Sequence, residues 1–548
     1  MDSSKEPAAT AQELKSTKAL PTSKNLGKQQ LVEFSPLMET ISLADMSESK
    51  REGLLNPGLM EAGSPSWKTA RTPISELRFR KRQSIHFVTA VLKRIISPFW
   101  PKPAVQPDKL RRTAYLDGLR GLASFIVYWH HHELWAHRAT DQNRLLENSF
   151  GYEGNHHLAT FPFVRNFFNG GHYAVATFFV ISGYALSSKP LRLIHEGEPT
   201  KLSDNIASAL FRRWFRLWIP VIIVTFIYIS SWHALGLWME NATPKDNWRQ
   251  EVWEWYASVK NFSYPFGNDR QWLSYDLPLW SIPVEMKGSI ITYTTLMALS
   301  RATQKARLWC QVALIFYFMY IADGYYGAMF ISGMLLCDLD LLAEKRQLPH
   351  FLTRLDSVKV FIFYHLLVFS MYLGGVPECD STDIANLRKQ RGWYYLSLFK
   401  PQAVFEYKWF YLFWAAVMLV AAVPRIKWLK VFFETRFCQY LGRISYALYL
   451  VHAPILWTIG DRLYTAVGWH TGGQLQNLSS WVDKMPLPKT GPLGLEVAFL
   501  LPQIVLLPIT IWAAEIVTRF IDEPSVKFTQ WLYAQVLPSA PNRNASAR

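Results

Sequence analysis

From Tyr115 onward, apolar runs of bilayer-spanning length alternate with short polar joins. A transmembrane helix needs about 20 mostly apolar residues. Ten stretches come close to that, near 115–135, 170–188, 214–234, 278–299, 308–322, 325–341, 358–376, 408–424, 438–460 and 495–518. The pattern predicts an all-α, polytopic membrane bundle of about ten transmembrane helices, with both termini on one side. The joins on that side are short and basic. They carry Lys189, Arg192, Lys201, Arg212 and Arg213, then Arg301, Lys305 and Arg307, then Lys345 and Arg346, then Arg425, Lys427 and Lys430. Short basic loops mark the cytosolic side. The opposite loops are longer and mixed in charge, and they hold glycosylation sequons at Asn241, Asn261 and Asn477. A further sequon, at Asn544, falls on the cytosolic side and is expected to stay unmodified. Between the fifth and sixth stretches, Asp323 and Gly324 allow either a tight turn or a longer re-entrant segment.

The flanks carry no such pattern. Residues 1–110 read as a disordered cytosolic region, rich in Ser, Lys, Glu and Pro, with a basic amphipathic stretch near 75–97. That stretch suits the anionic inner leaflet, with a partner-binding helix as the sharper alternative. No apolar run follows the start, so no cleavable signal peptide is expected. Residues 111–526 form the predicted membrane domain and 527–548 a cytosolic tail. The long polar flanks account for a mean hydropathy of only +0.02 in a chain that is 50% hydrophobic. The net charge of +16 could point to nucleic acid. Its placement beside hydrophobic runs points instead to membrane orientation, and no nucleic-acid partner is expected. The cysteines, Cys310, Cys337, Cys379 and Cys438, lack metal-ligand spacing. Only Cys379 lies in an outer loop, so neither a metal site nor a structural disulfide is expected.

The first span, YLDGLRGLASFIVYWHHHELW, breaks the apolar rule. Asp117 and Arg120 open it and His130, His131 and His132 close it. Ionisable groups inside a membrane are costly and mark functional sites by default. Arg120 and His131 stand eleven residues apart. On a helix that is about 1100° of rotation, about 20° from three turns, so both share one face, about 16 Å apart along the axis. Asp117 and Arg120 are spaced to pair on successive turns. A polar stripe thus runs from an ion pair at one surface to an imidazole deep in the other half of the membrane.

LDGLRGLASFIVYWHHH resembles the signature of the acyltransferase 3 family of integral-membrane O-acyltransferases, in which an arginine precedes a catalytic histidine by eleven positions. That spacing selects Arg120 and His131. Further motifs follow in the family's order. Phe178, Phe179, Ser182 and Gly183 resemble FFxxSG. The arginines of FRRWFRLWIP, Arg212, Arg213 and Arg216, resemble a basic cluster before a proline, although Pro220 follows Arg216 by four positions where the family usually has three. Trp280, Ser281 and Glu285 resemble WSxxxE. Gly442, Ser445, Tyr446, Tyr449 and His452 resemble GxxSYxxYLxH, and Glu523 with Pro524 resembles a closing ExP element. Each has an ordinary structural reading as well: close helix packing at Ser182 and Gly183, snorkelling for the arginines, hydrogen bonding for Glu285.

The resemblance implies an acyl-coenzyme A co-substrate, usually acetyl, no bound cofactor or metal, and a hydroxylated acceptor on a small natural product, lipid or sugar. His131 would be the general base and Glu285 would orient it. Arg120, Arg212, Arg213 and Arg216 would hold the donor's phosphates, because guanidinium forks match phosphate oxygens. Asp117, Ser182, Trp280 and Ser281 would position substrate. A glycosylated multi-pass protein of the endoplasmic reticulum or another endomembrane, serving secondary-metabolite biosynthesis, is expected. A proton-coupled transporter and a non-enzymatic lipid sensor remain as alternatives, since a transporter also needs intramembrane His, Glu and Arg.

Overall fold

The computed structural model describes residues 110–537, apart from 139–144, 147, 238, 240–243, 268–270 and 378–380. The N-terminal region with its basic stretch, Asn241, Cys379 and Asn544 lie outside the described residues. Those residues form helices and loops with no strand, the only bridge being an isolated one between Tyr152 and Asn155. The longer helices are α1 (Ala114–Ala136), α2 (Gly171–Glu196), α3 (Pro199–Leu235), α4 (Trp248–Phe262), α5 (Ser281–Ala298), α6 (Gln304–Phe316), α7 (Tyr325–Glu344), α8 (Lys359–Gly374), α9 (Tyr407–Ala422), α10 (Arg436–Ile455), α11 (Val497–Val517) and α12 (Glu523–Val536).

Among the described residues five helices, not the ten expected, are long and apolar enough to cross a membrane: α3, α7, Asp356–Gly374 with α8, Tyr407–Arg425 with α9, and Val497–Val536 with α11 and α12. The first helix is not among them, because Asp117, Arg120, the histidines and Glu133 dilute its apolar content. Two elements outrun the expected spans. α3 begins at Pro199 and is 37 residues long, about 55 Å at 1.5 Å per residue, so much of the basic join before 214 is helical. The last helix runs on through a π-helical turn at Thr518–Asp522 to Val536, well into the segment read as a tail. Between α6 and α7 the chain makes a tight turn. A π-helical segment ends at Ile321, Gly324 donates its N–H to Phe318 at 3.0 Å, and α7 starts at Tyr325.

Glycines set the closest crossings. On α1, a Cβ at Gly118 would lie 1.8 Å from the Phe433 carbonyl oxygen, and one at Gly121 only 2.3 Å from the Gly442 nitrogen. A Cβ at Gly442 would in turn meet the Asp117 carbonyl at 2.4 Å. α1 and α10 therefore touch backbone to backbone, as small residues permit in membranes. A second crossing joins α2 to α7, where Gly183 faces the Phe330 carbonyl and Gly333 faces that of Val180. α8 packs on α9 at the rim and leaves Phe361, Val368 and Phe369 exposed.

Candidate active site

The α1–α10 crossing explains how the first span's polar groups are used. Arg120 is buried, pairs with Asp117 at 3.1 Å, and donates to the Gly442 carbonyl at 3.3 Å. Asp117 also receives Arg111 at 3.3 Å. His131 and His452 each lie ten residues beyond the glycine of their own helix, Gly121 and Gly442. Helices joined at one end by their glycines and parallel in direction bring those histidines together, with ring centroids 4.9 Å apart. His452 is fully buried, and its Nδ1 donates to the Tyr449 carbonyl at 2.5 Å. That bond leaves Nε2 as the basic nitrogen, because the hydrogen bond at one ring nitrogen fixes the other. Tyr449 donates its hydroxyl to the Pro278 carbonyl and lies 3.3 Å from the Ser281 hydroxyl. The WS and SYxxYLxH motifs thus converge on the histidine pair.

The neighbouring histidines have different surroundings, as a rotation of about 100° per residue requires. The Gly171 N–H donates to His130 Nδ1 at 3.4 Å. His132 Nδ1 lies 2.9 Å from the Tyr464 hydroxyl and 3.2 Å from Gln503 Nε2, and Tyr128 donates to Gln503 at 2.7 Å. Only His131 faces His452 at ring-contact distance among the three. Just past α1, His137 donates from Nδ1 to the Glu133 carbonyl at 2.9 Å and from Nε2 to Glu496 at 3.2 Å. Burial opposes the charge on His137, but Glu133 and Glu496 outweigh it and push its pKa up to about 9.

The other predicted site residues divide into groups. Glu285, expected beside His131, receives Arg213 at 2.6 Å, and Arg213 also donates to the Ser289 hydroxyl at 2.9 Å. Both members of that ion pair are fully buried. A guanidinium with five donors satisfies a buried carboxylate better than a ring nitrogen does. Arg216 is buried three residues further along α3, within electrostatic reach of Arg120 and of Asp522, which directly precedes α12. Arg212 is partly exposed and donates to the Ser208 carbonyl of its own helix at 3.0 Å. Ser182 is buried on α2, one residue before the crossing glycine. Trp280 is fully buried between Trp272 and Trp409, at centroid distances of 6.2 and 6.1 Å. Asn261 and Asn477 are exposed. Among the described residues, no group of His, Cys, Asp and Glu side chains has the arrangement to hold a metal ion.

Sequence reasoning passed over four contributors. Tyr464 and Gln503 hold His132, and nothing in their local sequence marks them. Asp522 ends a π-helical turn whose signal in sequence is only an acidic residue inside an apolar run. Asp276 lies fully buried just before the WS motif. A carboxylate within two residues of Pro278, at the lip of a span, was a legible anomaly.

A membrane bundle whose first helix carries an arginine and a histidine on one stripe, closed by a parallel helix bearing a second histidine, defines an integral-membrane acyltransferase. Residues 113–514 match the family model described as "Acyltransferase domain", the acyltransferase 3 family, and the chain belongs to that family. It is 29% identical over 496 residues to "O-acetyltransferase PaAT-1" of Phomopsis amygdali, covering 81% of this chain and 89% of that protein. It is 22% identical to "Acyltransferase clz18" of Cochliobolus lunatus over 78% of this chain and 97% of the relative. It is also 22% identical to "Acyltransferase R4" of a Phoma species over 79% and 97%. No solved structure matches the chain.

Proposed function

We propose that this acyltransferase moves an acyl group, in particular acetyl, from coenzyme A to a hydroxyl of a small natural product, lipid or sugar, with His131 as general base. The observation that carries the reading is the contact of His131 with His452, 4.9 Å between rings, on the same helices whose other ends join Arg120 to Gly442. The name of the Phomopsis relative, an O-acetyltransferase, favours acetyl and an oxygen acceptor.

In this mechanism the acceptor's oxygen attacks the thioester carbonyl, the C–S bond breaks, and the hydroxyl proton passes through His131 to the departing thiolate. A positioned base contributes about 10²–10⁴-fold to such a step. His452 stands beside it with Nε2 as an acceptor, fixed by the bond from Nδ1 to Tyr449. Arg120 and Arg216 hold the donor's phosphates at the other end of α1. Asp117 and Asp522 stand beside those two, whereas Arg213 is engaged by Glu285. In this reading the arginine end faces the cytosol and its acyl-coenzyme A, and the histidine end the lumen or exterior, an orientation that the basic joins support.

The test is acyl transfer by the purified full chain in lipid nanodiscs, supplied with radiolabelled acetyl-coenzyme A and a fractionated metabolite extract. The expected result is a labelled, base-labile ester in one fraction that His131→Ala fails to form. Consumption of acetyl-coenzyme A with no ester, or label on an amine, would contradict the reading.

A further inference from the structure

The most anomalous group outside the histidine pair is Asp276. It is fully buried, and neither carboxylate oxygen has a hydrogen-bond partner among the described residues. A buried polar group without a partner is rare, and its cost calls for an explanation. Burial alone raises the Asp276 pKa well above the carboxylate range, with no cation to offset it.

The backbone holds this side chain in a defined place. The Asp276 N–H donates to the Leu273 carbonyl at 3.0 Å, and the Leu279 N–H donates to the Asp276 carbonyl at 3.1 Å. Next to it, Tyr275 gives its hydroxyl to Glu251 of α4 at 2.7 Å and sets its ring against Trp232, 5.5 Å between centroids. Trp232 meets Tyr228 edge to face at 5.4 Å. Asp276 lies within electrostatic reach of both Tyr228 and Tyr449. Tyr449 is the residue whose carbonyl fixes His452 and whose hydroxyl meets Ser281. Asp276 thus lies two residues ahead of the Pro278 carbonyl that anchors Tyr449, and within electrostatic reach of the Tyr228 end of the Tyr228–Trp232–Tyr275 aromatic cluster.

We propose that Asp276 anchors a further hydroxyl of the acceptor, so that the enzyme takes a polyhydroxylated ring, one hydroxyl at His131 and another at Asp276, with the ring's apolar edge against Trp232, Tyr228 and Tyr275. This rests on the O-acyl-transfer reading above and narrows its substrate class. An anchoring carboxylic acid gains a partner when the acceptor arrives. A site built around such a group rejects an analogue lacking the matching hydroxyl far more strongly than an apolar pocket rejects one lacking a methylene.

The experiment uses the full chain in nanodiscs, acetyl-coenzyme A, and four probes: cyclohexanol and the 1,2-, 1,3- and 1,4-cyclohexanediols. The wild type should acylate at least one diol about 10-fold or more faster than cyclohexanol in kcat/KM, after correction for the number of hydroxyls. Asp276→Asn should bring that ratio close to one, through the diol's KM rather than kcat, with no change in the KM for acetyl-coenzyme A. Because the carboxylate has no hydrogen-bond partner among the described residues, Asp276→Asn should also leave the melting temperature unchanged or raise it. Equal rates for diol and cyclohexanol in the wild type, an unchanged ratio in Asp276→Asn, or a lowered melting temperature would each overturn the anchor. Absence of transfer to all four alcohols contradicts the O-acyl-transfer reading itself, a result distinct from transfer without discrimination.

Discussion

The arginines at the start of the third span show how much a single position on a helix decides. Arg212, Arg213 and Arg216 belong to one basic cluster in sequence, yet they have three surroundings. Arg212 bonds its own backbone, Arg213 neutralises Glu285, and Arg216 stands near Arg120 and Asp522. Arg216→Ala should therefore weaken acetyl-coenzyme A binding by about 10-fold or more, since a charge-assisted bond is worth about 1.5–3 kcal/mol. Arg213→Ala should instead cost about 3–5 kcal/mol of stability, because it strands a buried carboxylate, and Arg213→Met with Glu285→Gln should recover much of the loss. Calorimetric donor binding and thermal melting of the same variants separate the two effects. Donor affinity unchanged in a well-folded Arg216→Ala protein would remove Arg216 from the phosphate site.

At the scale of elements, the α1–α10 crossing carries the site. Gly121→Ala would place a methyl 2.3 Å from the Gly442 nitrogen, so the helices must separate and the His131–His452 contact with them. We expect loss of transfer and a clear drop in melting temperature, whereas Gly472→Ala, with nothing within 4 Å, should be silent in both. A second element-level feature is the knot of His137 with Glu133 and Glu496 that closes the end of α1. The pKa of His137 is raised to about 9, above its unfolded value of about 6.5. Its stabilising share is thus complete below about pH 6.5 and is lost as the pH rises through 9. Melting curves from pH 6 to 10 should show a decline above pH 7 that His137→Gln flattens. A decline equally steep in His137→Gln would assign it to other groups. The sequence disclosed the first half of this architecture. The period linking Arg120 to His131, and the small residues of LDGLRG, could be read directly. The partner of each could not, because residues more than 300 positions apart meet only through packing. Glu285 illustrates the limit: its span and depth were legible, but its choice of Arg213 depends on the rotation of α3 against α5.

For the whole molecule, orientation governs which side supplies the donor. Of the ten expected spans only five helices among the described residues are long and apolar enough to cross a membrane, but the all-helical fold was legible from apolar runs. Helix lengths were less so, since α3 and the last helix extend beyond their apolar cores wherever no proline or glycine stops them. Asn261 and Asn477 are both exposed, as glycan acceptors outside the cytosol would have to be. Mapping by single Asn→Gln changes and glycosidase shifts should find glycan only among Asn241, Asn261 and Asn477. Glycan on Asn544 would reverse the molecule and put acyl-coenzyme A on the wrong side of the arginines.

The central claim is that one histidine of three performs the chemistry. Acetyl transfer should be measured for His130→Ala, His131→Ala and His132→Ala at matched protein levels in nanodiscs, with donor binding measured alongside. The account predicts that His131→Ala abolishes transfer and retains donor binding, while the other two keep substantial activity. His131→Gln should fail as well, because an amide can hold a hydrogen bond but cannot accept the proton. Near-normal transfer by His131→Ala would contradict the mechanism, whatever the family.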